Sequence, residues 1–148
     1  MTRKKSVLFV CIHNSARSQM AEAFLREIGG DLFTAASAGL EAGSLNQPVV
    51  RAMGEIGLDI SGQSTDTIDS IIRRGDRFDY VVTVCDAANA QRCPIVPGTM
   101  QKLHWSFADP ATVSGDAQEQ AEQIRVIRDQ IREQVSVFVR SFAPPVPQ

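Results

Sequence analysis

Val7-Leu8-Phe9-Val10 is an unbroken apolar run of β-forming residues with a basic stretch before it. It leaves no polar face, so it reads as a strand buried on both sides, a place offered by parallel sheets with helices over both faces. The pattern then changes period. From Ser18, residues Met20, Ala21, Phe24, Leu25 and Ile28 recur at helical spacing until Gly29-Gly30. A second strand is expected over Leu32–Ser37, ending at Gly39. Pro48 opens a second helix with Val49, Val50, Met53 and Ile56 on one face and Gly57 after it. Ile68, Ile71 and Ile72 mark a short third helix up to Gly75. Tyr80–Val84 is the clearest strand. A turn-rich loop with Pro94, Pro97 and Gly98 follows, then a fourth candidate strand at Leu103-His104-Trp105. Ile124, Ile127, Ile131, Val135 and Phe138 trace a long amphipathic helix from about Asp116 to Ser141. Pro144-Pro145-Val146-Pro147 cannot continue it, so a frayed tail is expected over residues 143–148. Strands alternating with helices predict an α/β fold of βαβ units.

The chain's 148 residues fit one domain, spanning 1–148. A domain of that length buries about 68–70% of its unfolded surface, enough for a core without disulfide or metal staples. The net charge of −2 supplies no basic field for nucleic acid or anionic membranes, so an anionic ligand has to be held by local groups. No apolar stretch is long enough to cross a membrane, and the Val7–Val10 run is too short for a signal peptide. The chain therefore reads as cytoplasmic. In a reducing compartment its three cysteines are not a structural framework. Each taken alone reads as a small buried hydrophobe. Their spacing with the two histidines matches no zinc site.

Position changes that reading. Ligands of open α/β sheets bind beyond the carboxyl ends of the strands. Cys11 follows the first strand directly, Cys85 follows Tyr80–Val84, and Asp109 comes soon after the fourth candidate strand. Three chemically capable residues thus share the edge where this fold places its chemistry. Cys11-Ile12-His13-Asn14-Ser15-Ala16-Arg17-Ser18 sets a cysteine and an arginine on either side of five residues, between a buried strand and a helix start. Amides at a helix N-terminus and the helix dipole favour a tetrahedral oxyanion, and Arg17 can add a bidentate contact. The same field favours a thiolate at Cys11, the nucleophilic form. Asn14 is expected to shape the loop, because asparagine tolerates left-handed backbone angles. His13 is assigned no role beyond its place in the loop.

The run VLFVCIHNSARSQMAEAFL (Val7–Leu25) closely resembles the active-site loop and first helix of the low-molecular-weight protein tyrosine phosphatase superfamily. Within it the chain is most similar to the arsenate reductases. The resemblance continues through SAGLEAGSLNQPVVRAMGEIGLDIS (Ser37–Ser61), VVTVCD around Cys85, and HWSFADPA ending at Ala111. It implies a single domain with a four-stranded parallel sheet flanked by helices on both faces. It implies Cys11 as nucleophile, an oxyanion cradle from Ile12, His13, Asn14, Ser15, Ala16 and Arg17, thiolate support from Ser18, and Asp109 as general acid. No tightly bound cofactor is implied. Some of these reductases hold a potassium ion, and the matching positions here are Asn14, Glu22, Ser37 and Asp66.

A phosphatase would finish by letting water attack a phosphocysteine. Reducing arsenate needs two electrons from thiols, and Cys85 and Cys93 are available to supply them. The expected relay runs from Cys11 to Cys85 to Cys93, with thioredoxin or a glutaredoxin-type carrier restoring the thiols. A resting form is expected to hold the cysteines apart, so the Cys85–Cys93 segment has to move. Phosphatases of the superfamily carry a tyrosine after their Asp-Pro pair. Here Ala111 follows Pro110, and the single tyrosine, Tyr80, falls in a strand. Seven residues separate Cys85 from Cys93 where the family commonly has six, and Ala16 stands where some relatives have a further cysteine. The alternatives are a protein tyrosine phosphatase and a non-catalytic anion-binding redox switch. Arsenate is the expected substrate of a monomer, with phosphate or sulfate as competing oxyanions and no nucleic-acid or membrane partner.

Overall fold

The computed structural model describes residues 4–142, and the proline-rich tail lies outside them. Strand β1 (Lys5–Cys11) leads into helix α1 (Arg17–Gly29), then β2 (Phe33–Gly39), α2 (Gln47–Gly54) and α3 (Ile68–Arg74). β3 (Tyr80–Thr83), α4 (Ala87–Ala90), β4 (Gln101–His104) and α5 (Ala117–Arg140) complete the chain. The four strands form one parallel sheet in the order β2-β1-β3-β4. The chain leaves β1 toward one edge and returns past it to β3. The crevice between β1 and β3 is therefore the point where the winding reverses, and ligands of such sheets settle there.

Successive strand side chains face opposite ways, and the two cores follow that parity. Val7, Phe9 and Cys11 pack with α1, α2 and α5, while Leu8 and Val10 pack with Ile68 and Ile71 of α3 and with Val96. The long helix begins with a capping box, in which Asp116 accepts from the Glu119 N–H and the Glu119 carboxylate accepts in return. Ile124, Ile127, Ile131, Val135 and Phe138 are all buried, as their spacing predicts. Among the described residues no helix is long and apolar enough to cross a membrane.

Two elements differ from the sequence expectation. The loop after β3 contains the short helix α4, capped by Asp86; four residues are too few to show an apolar period. β4 starts two residues earlier than expected, at Gln101. It is an edge strand with only Leu103 partly covered, and alternation is weak where one face meets water. The Trp105 N–H still donates to the Thr83 carbonyl at 2.8 Å, extending the ladder past the strand.

Candidate active site

Ile12 to Ala16 carry the chain from the end of β1 into α1, and their carbonyls are tied outward. The Cys11 carbonyl accepts from the Leu40 N–H (3.0 Å), that of Ile12 from the Glu41 N–H (2.8 Å), and that of Ser15 from the Asn46 N–H (2.9 Å). The Asn14 carbonyl accepts from Gln19 Nε2 at 2.9 Å. A trans peptide directs its N–H opposite to its C=O, and no peptide described is cis. The amides of Ile12, His13, Ser15 and Ala16 therefore turn toward the inside of the loop. Asn14 has φ 54°, the left-handed value that lets successive amides converge. No side chain caps α1, so its first amides lack a competing acceptor there. The result is a cavity of about 30 Å³ lined by Cys11, Ile12, His13, Ser15, Ala16, Arg17, Asp109 and Ala111.

A directed chain of hydrogen bonds ends on the Cys11 sulfur. The Asp66 backbone N–H donates to Asn14 Oδ1 at 2.9 Å, which orients that amide. Asn14 Nδ2 then donates to Ser18 Oγ at 2.8 Å. Ser18 Oγ lies 2.9 Å from Cys11 Sγ, and with its oxygen accepting from Asn14 its proton is free to point at sulfur. That arrangement aims a hydroxyl donor at the Cys11 sulfur.

Arg17 is 5% exposed and reaches across the mouth of the pocket. Its Nη1 donates to the Phe107 carbonyl at 3.1 Å, and Nη2 lies 3.6 Å from Asp109 Oδ2. Asp109 also accepts from the Ala111 N–H at 2.9 Å, which holds its carboxylate at the start of a 3₁₀ turn. Cys11, Arg17 and Asp109, expected as nucleophile, anion-binding arginine and acid, thus meet around one small cavity.

Cys85 is fully buried in the same cluster as Cys11. Strict alternation from Val82 would have sent it to the other face, but the strand ends at Thr83 and the following bend carries it back. Burial pushes its thiol up, while the positive charge of Arg17 opposes that rise. Cys93 lies apart, in the opposite cluster with Val81 and Val96, and burial pushes its thiol up as well. All three cysteines are free thiols, and the expected separation of Cys93 is present.

The four positions associated with potassium also come together, but their oxygens are already engaged. Glu22 accepts from the Ser37 hydroxyl at 2.7 Å and pairs with Arg26 at 2.6 Å. Asp66 accepts from Ser64 Oγ at 3.1 Å and lies 3.7 Å from Arg74, while Asn14 Oδ1 is taken by the Asp66 amide. Burial raises the Glu22 carboxyl, opposed by Ser37 and Arg26. The Ser37 hydroxyl and the Arg26 guanidinium engage both oxygens of Glu22, so the set as arranged does not fit a potassium ion.

A model of the low molecular weight phosphotyrosine protein phosphatase family matches residues 6–143. The chain belongs to that family. An arsenate reductase of Halalkalibacterium halodurans is 41% identical over 138 residues, covering 93% of this chain and 97% of that protein. A solved arsenate reductase in its phosphate-binding state superposes with a TM-score of 0.77 at 30% identity, covering 94% of this chain and 99% of the other. The thioredoxin-dependent arsenate reductase of Corynebacterium glutamicum gives 0.61 at 28% identity, covering 93% and 64%.

Sequence reasoning missed several residues that build this member of the phosphatase family. Gln19 is fully buried and bridges the Asn14 and Ser64 carbonyls, both at 2.9 Å. Its one sequence signal is an amide placed beside Met20 in an apolar helix face. Gly39 closes the loop from behind, where a Cβ would stand 2.6 Å from the Asn14 nitrogen and 2.8 Å from the Ile12 oxygen. Those atoms are loop backbone and cannot swing aside. Gly39→Ala is therefore expected to destabilise by about 1–3 kcal/mol and to weaken phosphate binding. Thermal melts with phosphate titration check this; unchanged affinity would show that the loop does not depend on that contact.

Proposed function

We propose that this chain reduces arsenate to arsenite, with Cys11, Cys85 and Cys93 passing the two electrons to a thioredoxin-type dithiol. The observation that carries the reading is the second thiol: Cys85 is buried in the cluster of the oxyanion-loop cysteine, within the electrostatic reach of Arg17. A phosphatase has no use for it. The names of the relatives support the same reaction.

The Cys11 thiolate attacks As(V), forming an S–As bond while the departing hydroxide takes a proton from Asp109. The loop amides and Arg17 hold the remaining oxygens. Cys85 thiolate then attacks Cys11 sulfur. The S–As bond breaks, its electron pair stays on arsenic, and arsenite leaves behind a Cys11–Cys85 disulfide. Cys93 attacks Cys85 sulfur, freeing Cys11 and leaving a Cys85–Cys93 disulfide. Thioredoxin reduces this disulfide and is itself oxidised. The relay lies within one chain, so a monomer suffices, and three free thiols suit a cytoplasmic setting.

Arg26 places a positive charge beside the Glu22 carboxylate, so no added cation is needed there. The test is arsenate-dependent NADPH oxidation with thioredoxin and its reductase. Sustained turnover is expected, at the same rate in potassium and sodium buffers. Absence of turnover, with tight phosphate binding intact, would overturn the catalytic reading in favour of an anion-binding switch.

A further inference from the structure

A line of polar side chains joins the oxyanion loop to the segment carrying Cys93, and the reaction above makes no use of it. His13 Nε2 lies 3.1 Å from Glu41 Oε2. The other Glu41 oxygen accepts from Arg92 Nη2 at 2.9 Å. Arg92 Nη1 donates to Asn89 Oδ1 at 2.7 Å, and Asn89 Nδ2 donates to Asp86 Oδ2 at 2.8 Å. Asp86 follows Cys85 and Arg92 precedes Cys93, so the line runs the length of the segment between the two cysteines. It reaches the loop through Glu41, which meets His13 by its side chain and whose own N–H is fixed to the Ile12 carbonyl.

The relay needs this segment to rearrange. Cys85 and Cys93 sit in clusters on opposite faces of the sheet, and a disulfide needs their Cα atoms within about 4.4–6.8 Å. α4 has to open for Cys93 to cross. The Asp86 cap and the Cys93 N–H bond to the Ala90 carbonyl (3.2 Å) are local and are lost in any such opening. The Glu41–Arg92 pair ties the segment to a different part of the chain.

We propose that Glu41 is a positioning residue for the relay: by gripping Arg92 it holds the Asp86–Cys93 segment closed, with Cys93 on the far face, and its release governs how often Cys93 reaches Cys85. This rests on the reductase reading. Both partners are about half exposed, and exposed pairs of this kind bias an equilibrium by roughly two- to fivefold. That is enough to favour the closed form and weak enough to open at each turnover. The Arg92 hydrogen bond also holds the Glu41 carboxyl below the usual carboxylate range.

The test uses the reduced full-length protein without arsenate or thioredoxin, and follows alkylation of Cys93 by iodoacetamide through peptide mass. Glu41→Gln and Arg92→Gln should each raise the Cys93 rate about two- to fivefold, with Cys11 alkylation unchanged. The double variant should go no faster than the faster single one, because the Glu41–Arg92 pair is already lost in each. In 1 M salt, where screening acts within about 3 Å, the wild type should approach the variants while the variants stay put. Rates equal to wild type, or a double variant equal to the product of the singles, would overturn the proposal. Since no arsenate is present, that failure is distinct from a failure to reduce arsenate.

Discussion

A Cys11→Ser variant should bind phosphate as the wild type does and reduce no measurable arsenate, a loss on the order of 10³-fold or more. The two halves of this result come from different atoms. Binding rests on the loop amides and on Arg17, which is held by the Phe107 carbonyl and by Asp109. None of these is touched by exchanging sulfur for oxygen. Chemistry rests on a sulfur that can form bonds first to arsenic and then to Cys85, and an alcohol does neither. The Ser18 hydroxyl, 2.9 Å from the sulfur, would meet a serine hydroxyl without leaving a polar group unpaired, so the fold should persist. Isothermal titration with phosphate and coupled NADPH oxidation separate the two effects. A variant that still turns over would place the nucleophile elsewhere and undo the mechanism.

Cys93→Ser should give one arsenite per enzyme and then stop. The first attack and the first disulfide involve Cys11 and Cys85 alone, which already share a cluster. Without the third thiol the Cys11–Cys85 disulfide has no internal partner, and steady-state turnover should fall by at least about two orders of magnitude. Quenched single-turnover arsenite analysis, with peptide mapping of the trapped disulfide, reads this directly. The substitution places a hydroxyl in an apolar cluster beside the Pro94 carbonyl, 3.5 Å from the native sulfur. A cost of about 1–3 kcal/mol is expected there, too little to unfold a domain of this size. A phosphatase would be indifferent to the change. Many arsenites per enzyme would mean that thioredoxin reaches Cys85 unaided, and the third step of the relay would be wrong.

The parts of the molecule legible in the sequence are those set by local period. β1 and α5 carry uninterrupted apolar patterns, and both lie where these patterns put them. The loop was legible for a related reason, because a cysteine at a strand end and an arginine at a helix start have few ways to face each other. Contacts between distant residues left no such trace. Nothing local announces that the Asp66 amide orients Asn14, that Gln19 fastens the loop, or that Glu41 meets Arg92. The faces taken by the later cysteines were hidden for a further reason. Once the chain leaves β3 at Thr83 its alternation is lost, and a two-residue period no longer says which core a side chain enters.

The outward-tied carbonyls of the oxyanion loop carry a last consequence. A receptor braced in this way before its guest arrives measures shape and charge, which phosphate and arsenate share almost completely. Selectivity then has to arise after docking. Phosphorus in its highest oxidation state does not take two electrons from thiols, so phosphate comes and goes unchanged, while arsenic is trapped by its own reducibility. Throughput in a cell would follow the ratio of the two ions, with the abundant nutrient acting as a standing competitor for the scarce poison.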